Sequence, residues 1–305
     1  MQCSFCLKSD FEYIANKDSK TKEKLSVGMC CNCGLIQQTL TPSKTELSIY
    51  YSHNYRNDYK KTFSPRKKHI FRAAHTAINR IKFLHSMDIR KGKLLDIGAG
   101  GGEFVYIANK NGFNAEGIEP NIGYSEFAKN EYGEKITTGE IEEITNQYDI
   151  ITIFHVMEHL PSPSKAFEKI FSHMSKKGIL FVEVPWIEAK DASPHNIFFK
   201  AHIYYFSIET LIACASQWFK PIKISTSNNL RILFEPLHEK SEKRLPSKES
   251  VRNIRERIRK KGWWEYIFKG KGYIKPFKIF TKILKERNIK KKTAKQIIDD
   301  LLIDI

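Results

Sequence analysis

A chain of 305 residues, 41% of them hydrophobic and 28% charged, is long enough to bury one sizeable core with appendages and too apolar to be disordered or fibrous. It contains no run of about 18 apolar residues, which argues against a membrane-spanning helix, and its opening Met1-Gln2-Cys3-Ser4-Phe5-Cys6 lacks the basic start and apolar core of a signal peptide, so a cytoplasmic location is expected. The net charge of +17 is uneven: residues 236–305 hold 21 Lys and Arg against 9 Asp and Glu, a net +12.

Five of the six cysteines fall in the first 33 residues, and such clustering without an export signal favours metal binding over disulfides. Within residues 1–40, Cys3-x-x-Cys6 and Cys30-x-x-Cys33 are separated by 23 residues, with Gly34 closing the second turn. Four thiolates in that arrangement suit a tetrahedral zinc ion, structural rather than catalytic because every ligand place is filled. Cys31 is an alternative ligand to Cys30, and Cys214 reads as a packed core residue. Residues 41–92 form a connector and a helix. Tyr50, Tyr51, Tyr55 and Tyr59 in this stretch suit a lid or a carbohydrate-stacking wall, or equally a packed helix interface.

Residues 93–236 alternate regularly. Strands are expected at Lys93 to Ile97, Asn114 to Ile118, near Lys135 to Thr137, Asp149 to Phe154 and Gly178 to Val184, with helices at Glu103 to Asn111, Gly123 to Tyr132 and Ser164 to Met174. This alternation implies βαβ units with right-handed crossovers and a doubly wound, mostly parallel α/β sheet whose ligands bind at the carboxyl ends of strands.

Between the first strand and helix lies Asp96-Ile97-Gly98-Ala99-Gly100-Gly101-Gly102-Glu103, where side chains would block close approach by a ligand. A dinucleotide site asks for G-x-G-x-x-G, but Glu103 stands where the third glycine belongs, and the pattern is D-x-G-x-G-x-G. At the end of the second strand Glu119, followed by Pro120, lies 23 residues after Asp96, placed to accept from both hydroxyls of a ribose. The strand ending at Phe154 runs into His155-Val156-Met157-Glu158-His159. On a helical turn His155, Glu158 and His159 would share a face, which suits metal ligation or a coupled acid–base group. The inverted zinc-peptidase reading of H-x-x-E-H fails because the pentapeptide closes a buried strand instead of lying within a long helix.

These motifs resemble those of class I S-adenosylmethionine-dependent methyltransferases. The resemblance implies a seven-stranded sheet and S-adenosylmethionine as methyl donor. It puts Gly98 and Gly100 against the methionine portion, Asp96 at its amino group, Gly102 in the same loop, Glu119 and Pro120 at the ribose, Glu140 near the adenine, and Phe154 in the donor site. The H-x-x-E-H segment is similar to the E-x-x-E-H of O-methyltransferases that make ubiquinone or modify the terminal ribose of small RNAs, which bind a divalent ion with a later histidine. Here His155 stands at the first position and His202 supplies the later histidine. By that similarity His155, Glu158, His159 and His202 form one constellation that ligates a metal, acts as a general base, or simply packs. Three imidazoles and one carboxylate suit Zn, Fe, Mn or Ni at least as well as Mg.

With its cysteine ribbon and tyrosine-rich connector, the chain also looks like bacterial methyltransferases encoded with cell-surface polysaccharide genes. That likeness implies transfer to a hydroxyl of a sugar, nucleotide-sugar or lipid-linked glycan. Nucleic-acid methylation and sugar C-methylation are the alternatives, and a non-catalytic binding protein is disfavoured by the intact polar cluster. Residues 237–305 are expected to form a basic, mostly helical tail. Its Trp263-Trp264-Glu265-Tyr266-Ile267-Phe268-Lys269 and Tyr273-Ile274-Lys275-Pro276-Phe277 interleave aromatic and basic residues, consistent with peripheral contact to an anionic membrane, with nucleic acid, with a partner groove, or with aromatics packed on the core.

Overall fold

The computed structural model describes residues 2–40, 64–227, 229–277, 280–281, 286 and 289–303. Tyr50, Tyr51, Tyr55 and Tyr59 lie outside the described residues. The chain forms two compact units, one of Met1–Lys44, Ile153–Ser172 and Ile179–Lys275, the other of Thr45–Thr152, His173–Gly178 and Pro276–Ile305.

The strands are β1 (Phe11–Lys17), β2 (Lys24–Cys30), β3 (Ile36–Gln38), β4 (Lys93–Ile97), β5 (Asn114–Glu119), β6 (Ile136–Thr138), β7 (Tyr148–Phe154), β8 (Met174–Pro185), β9 (Tyr204–Tyr205), β10 (Phe219–Thr226) and β11 (Asn229–Pro236). The helices are α1 (Lys67–His85), α2 (Glu103–Lys110), α3 (Ile122–Tyr132), α4 (Pro163–Ser172), α5 (Ile208–Ala215), α6 (Lys248–Arg259) and α7 (Ala294–Ile303). A seven-stranded sheet runs β10-β11-β8-β7-β4-β5-β6. Its β4–β5 and β5–β6 pairs are parallel, whereas β11 pairs antiparallel with β8 and with β10. The strand order reverses beside β4, the topological switch point at which open α/β sheets bind ligands.

The unit centred on β4 to β6 follows its sequence pattern closely. The apolar runs of β4 and β7 are buried almost throughout, as strands of a sheet covered on both faces must be. α1 buries Ile70, Ala74, Ala77, Ile78, Ile81 and Leu84, one stripe at helical spacing. α3 starts where the Asn121 side chain accepts from the Tyr124 amide and stops at Gly133, whose φ of +73° a side chain would oppose. Met174, read as the end of α4, belongs to β8, which begins four residues before the expected strand.

In the other unit, the sheet β1-β2-β3-β9 carries the cysteine module. Tyr204 and Tyr205 pair with Gln37 and Ile36 of β3, a long-range addition that local periodicity does not reveal. Leu25, Val27, Met29 and Ile36 form a core with Ile187, Tyr205 and Ile254 of α6. α6 is strongly amphipathic, burying Val251 and Ile254 while Arg255 and Arg259, one turn apart, both hold Glu12. No described helix is long and apolar enough to cross a membrane.

Ile254 is fully buried in that core, so Ile254→Ala should lower the unfolding free energy by about 2–4 kcal/mol. A urea melt with an unchanged midpoint would show that α6 does not complete the cysteine module's core.

Candidate functional site

In the unit built on β4, the loop after that strand is possible only because it is glycine-rich. Gly98, Gly100 and Gly102 have φ of +74°, +57° and +82°, a region that L side chains rarely adopt. The Gly98 and Ala99 amides both donate to the Ile118 carbonyl at the end of β5, at 2.8 and 3.0 Å. The Gly100 amide donates to Glu119 Oε2 at 2.8 Å, and the Asn121 amide donates to Glu119 Oε1 at 3.1 Å. Glu119 is thus held by at least these two backbone donors. Gly102 has a packing role: a Cβ there would stand 2.6 Å from that of Ala128 on α3.

Asp96, at 3% exposure, accepts a 2.6 Å hydrogen bond from the Thr152 hydroxyl. Burial pushes its carboxyl up to about 7, with Glu119 and Glu103 adding to the effect against Thr152 and Arg80. Pro120 is half-buried beside Glu119. The Gly139 amide donates to the Glu119 carbonyl at 3.1 Å. Glu140 follows, its own amide donating to Glu143 Oε1 at 2.9 Å and so closing the turn Ile141–Glu143.

The second cluster lies in the other unit. Phe154 is buried there edge-on against Phe181, with centroids 4.9 Å apart. His155 has a φ of +55°, and the helical turn begins only at Met157, spanning Met157–His159. The expectation of three side chains on one helical face is therefore corrected: the left-handed residue breaks the helical phase. The Glu158, His159 and His202 ligand atoms lie within 4.8 Å of one another, a group that does not include His155. His155 Nε2 is 3.1 Å from Glu183 Oε1, and its Nδ1 is 3.5 Å from Glu158 Oε1. Arg231 Nε donates to Glu183 Oε2 at 2.7 Å, and Asn229 Nδ2 donates to Glu183 Oε1 at 3.0 Å. Burial opposes a charge on His155, but the bonds to Glu158 and Glu183 outweigh it and push the imidazole up to about 9.

The trio is built for a cation. Glu158 is 1% exposed, and among the described residues neither carboxylate oxygen has a hydrogen-bond partner, nor does the buried Nδ1 of His202. Burial, helped by His159, pushes the His202 ring down to about 3, leaving it neutral with a lone pair to offer. His159 Nδ1 lies 2.7 Å from the Ala201 carbonyl. Because only a protonated nitrogen can donate there, Nε2 becomes the ring's lone-pair nitrogen. Lone pairs gathered out of water in this way fit a divalent ion.

The cysteine module holds the His202 segment in place. Gln38 Nε2 donates to the carbonyls of Lys200 and His202, each at 2.8 Å, and Asp18 Oδ2 accepts from the Lys200 amide at 2.6 Å. In the module itself, Cys3, Cys6, Cys30 and Cys33 gather with Sγ–Sγ distances of 3.6 Å for Cys3–Cys33 and 3.4 Å for Cys6–Cys30. Disulfides measure about 2.05 Å, whereas tetrahedral Zn–S bonds of about 2.3 Å put sulfurs about 3.8 Å apart. Cys31 lies outside the group. Cys214 is buried.

Thr152, Glu183, Asn229 and Arg231 were not singled out from the sequence. The usable signal was a polar residue inside an apolar strand: Thr152 in Ile150–Phe154 and Glu183 in Leu180–Val184 are both fully buried.

Residues 67–217 match the model of a family described as a methyltransferase domain. Among curated proteins, the chain is 30% identical to a ubiquinone biosynthesis O-methyltransferase of Rickettsia typhi over 112 residues, 34% of this chain and 45% of that one. It is 28% identical to the protein of the same description from Coxiella burnetii over 134 residues, 41% of this chain and 53% of that one. The chain thus spans about half the length of the curated relatives it matches. Among solved structures, a magnesium protoporphyrin IX methyltransferase from Synechocystis PCC 6803 with bound SAH aligns at 11% identity, covering 63% of this chain and 99% of that one with a TM-score of 0.46.

The raised Asp96 carboxyl makes the folded chain bind more protons than the unfolded chain between about pH 4 and 7. Its contribution to stability is therefore full below the unfolded value and lost as pH rises through about 7, by up to about 4 kcal/mol. Asp96→Asn should gain thermal stability relative to the parent as pH is raised from 5 to 8. Parallel Tm–pH curves for the two proteins would contradict a raised carboxyl.

Proposed function

We infer that this chain, whose residues 67–217 match a methyltransferase-domain model, takes S-adenosylmethionine as donor and transfers its methyl group to a hydroxyl oxygen of its acceptor. The observation that carries the reading is the trio of buried Glu158 and His159 with half-buried His202, a set of lone pairs suited to handling a hydroxyl proton. S-adenosylmethionine supplies an activated electrophilic methyl, so the protein's part is to hold donor and acceptor and to take up one proton. Glu119 accepts from the donor's ribose hydroxyls, Asp96 faces its ammonium group, and the left-handed glycines admit its methionine portion against the backbone.

On the acceptor side, Glu158, His159 and His202 would hold a divalent ion, which when bound lowers the pKa of a hydroxyl. His159 Nε2 is the lone-pair nitrogen that receives the proton if the ion is absent. Glu183, with Arg231 and Asn229, orients His155. Cys3, Cys6, Cys30 and Cys33 would hold a structural zinc, which through Gln38 and Asp18 keeps the His202 segment placed.

The relatives' descriptions support oxygen as the receiving atom. They favour a ring hydroxyl of a quinone precursor over the sugar or glycan hydroxyl expected from the sequence motifs. The sugar, nucleotide-sugar or lipid-linked glycan remains the second acceptor class, supported by the cysteine ribbon joined to the same polar cluster.

Calorimetry with S-adenosylmethionine and S-adenosylhomocysteine, with metal analysis before and after mild chelation, tests the reading. Both nucleosides should bind, with about one tightly held zinc per chain and a second ion that chelation removes. Glu119→Ala should weaken S-adenosylmethionine at least about tenfold. His159→Ala should reduce turnover on phenolic or sugar acceptors by about a hundredfold or more while donor affinity stays near the parent's. Full activity in that variant would remove the trio from the reaction, and failure to bind either nucleoside would overturn the reading as a whole.

A further inference from the structure

The segment 260–275 shows an unusual distribution of contacts: two of its lysine side chains tie it to the loop at 187–191 while large aromatic side chains face solvent. Lys261 Nζ donates to the carbonyls of Ile187 and Ala189 at 2.7 and 2.8 Å. Gly270 sits so close to the Lys190 carbonyl that a side chain would collide with it, and Lys275 Nζ donates to the Asp191 carbonyl. On this anchored frame Trp264 is 78% exposed, Tyr273 65% and Phe268 61%. Trp264 and Phe268, one turn apart, stack at 4.9 Å with planes 19° from parallel. Of the readings that the sequence leaves open for this stretch, packing onto the core does not hold for Trp264, Phe268 and Tyr273. Holding such rings in water has a cost that a covering surface would remove.

The surrounding charge says which surface. Lys190, Lys260, Lys269 and Lys271 are exposed along the segment and the loop that anchors it, and residues 260–275 contain five lysines, one glutamate and no arginine. Of the arginines of α6, Arg255 and Arg259 pair with Glu12, and Arg257 pairs with Glu188 and Glu209. Tryptophan and tyrosine concentrate at the headgroup level of bilayers. Lysine supplies attraction to anionic lipid while its stem covers apolar surface. Nucleic-acid readers instead draw heavily on arginine for bidentate phosphate and base contacts.

We propose that the anchored aromatic–lysine segment around Trp264, Phe268, Lys269, Lys271 and Tyr273 is an interfacial docking surface for anionic phospholipid membranes. It seats the rings at the headgroup boundary without crossing the bilayer. This inference is independent of the acceptor assigned to the methyl transfer.

The test is flotation of the full chain with vesicles of phosphatidylcholine alone and with about a third phosphatidylglycerol, together with tryptophan quenching by brominated lipid. Binding is expected only with the anionic vesicles, weakened by high salt, with Trp263 and Trp264 fluorescence quenched. Trp264→Ala/Phe268→Ala and Lys269→Glu/Lys271→Glu should each reduce partitioning at least tenfold while the far-UV spectrum and urea midpoint stay at the parent's values. Should either double variant unfold, quenching of the parent chain by brominated lipid decides alone. Absence of flotation, binding without quenching, partitioning unchanged in both folded variants, or salt-sensitive RNA binding in place of lipid binding would each overturn the proposal.

Discussion

A carboxylate removed from water must be compensated where it sits, and four such groups organise this molecule. Asp96, Glu119, Glu158 and Glu183 are all buried, and each is answered differently. Glu119 receives two backbone amides, that of Gly100 in the glycine loop and that of Asn121 just after β5. Asp96 takes a hydroxyl from Thr152 and shifts its carboxyl toward neutrality. Glu183 is gripped by Arg231, Asn229 and His155. Glu158 alone of the four has both oxygens without a hydrogen-bond partner among the described residues. Its charge is met by the His155 imidazole, whose Nδ1 lies 3.5 Å away, but a buried acceptor with no donor is costly, and those lone pairs are what the proposed ion or proton would fill.

The glycine loop illustrates how local geometry reaches the site. Positive φ at alternate positions turns the chain back on itself, which aims the Gly100 amide at Glu119 and seats the start of α2 against Ala128 of α3. Side chains at these positions would lose the donor and the helix packing together. The cysteine module works by the same logic at longer range. Its sheet recruits Tyr204 and Tyr205, and its Gln38 and Asp18 fix the backbone that carries His202. A small sheet with few core residues can serve as a positioning device only if its two cysteine turns are tied together.

Much of this was legible in the sequence because the signals were local. Strand, glycine turn and helix follow one another within fifteen residues around Asp96, and Glu119 closes the next strand, so periodicity and turn chemistry suffice. The spacing of Cys3, Cys6, Cys30 and Cys33 is likewise a short-range pattern. What escaped depended on distant partners. His155 was grouped with Glu158 and His159 by counting along a helix, but Glu183 on β8 and Arg231 on β11 draw it into another network. Nothing in the pentapeptide announces those partners, nor the left-handed backbone at His155. The exposed rings of residues 263–273 were equally ambiguous, because an interleaved pattern does not say which side faces the core until the lysine and glycine anchors are seen.

The split of H-x-x-E-H changes what its residues do. His155, pushed up to about 9, and Arg231 together offset the charges of Glu158 and Glu183, so this side of the cluster is balanced by the protein's own cations. His202, pushed down to about 3, offers no positive charge, and His159 is oriented by the Ala201 carbonyl. The cluster therefore divides into ion pairs around His155 and Arg231 and a lone-pair trio that, in the proposed function, would receive a proton or an ion. A histidine that must accept a proton near neutral pH is better placed in the trio than against two carboxylates, where it already holds one. On this balance of charge, the proposed reactive role falls to His159 and not to His155, although both lie in the same five residues.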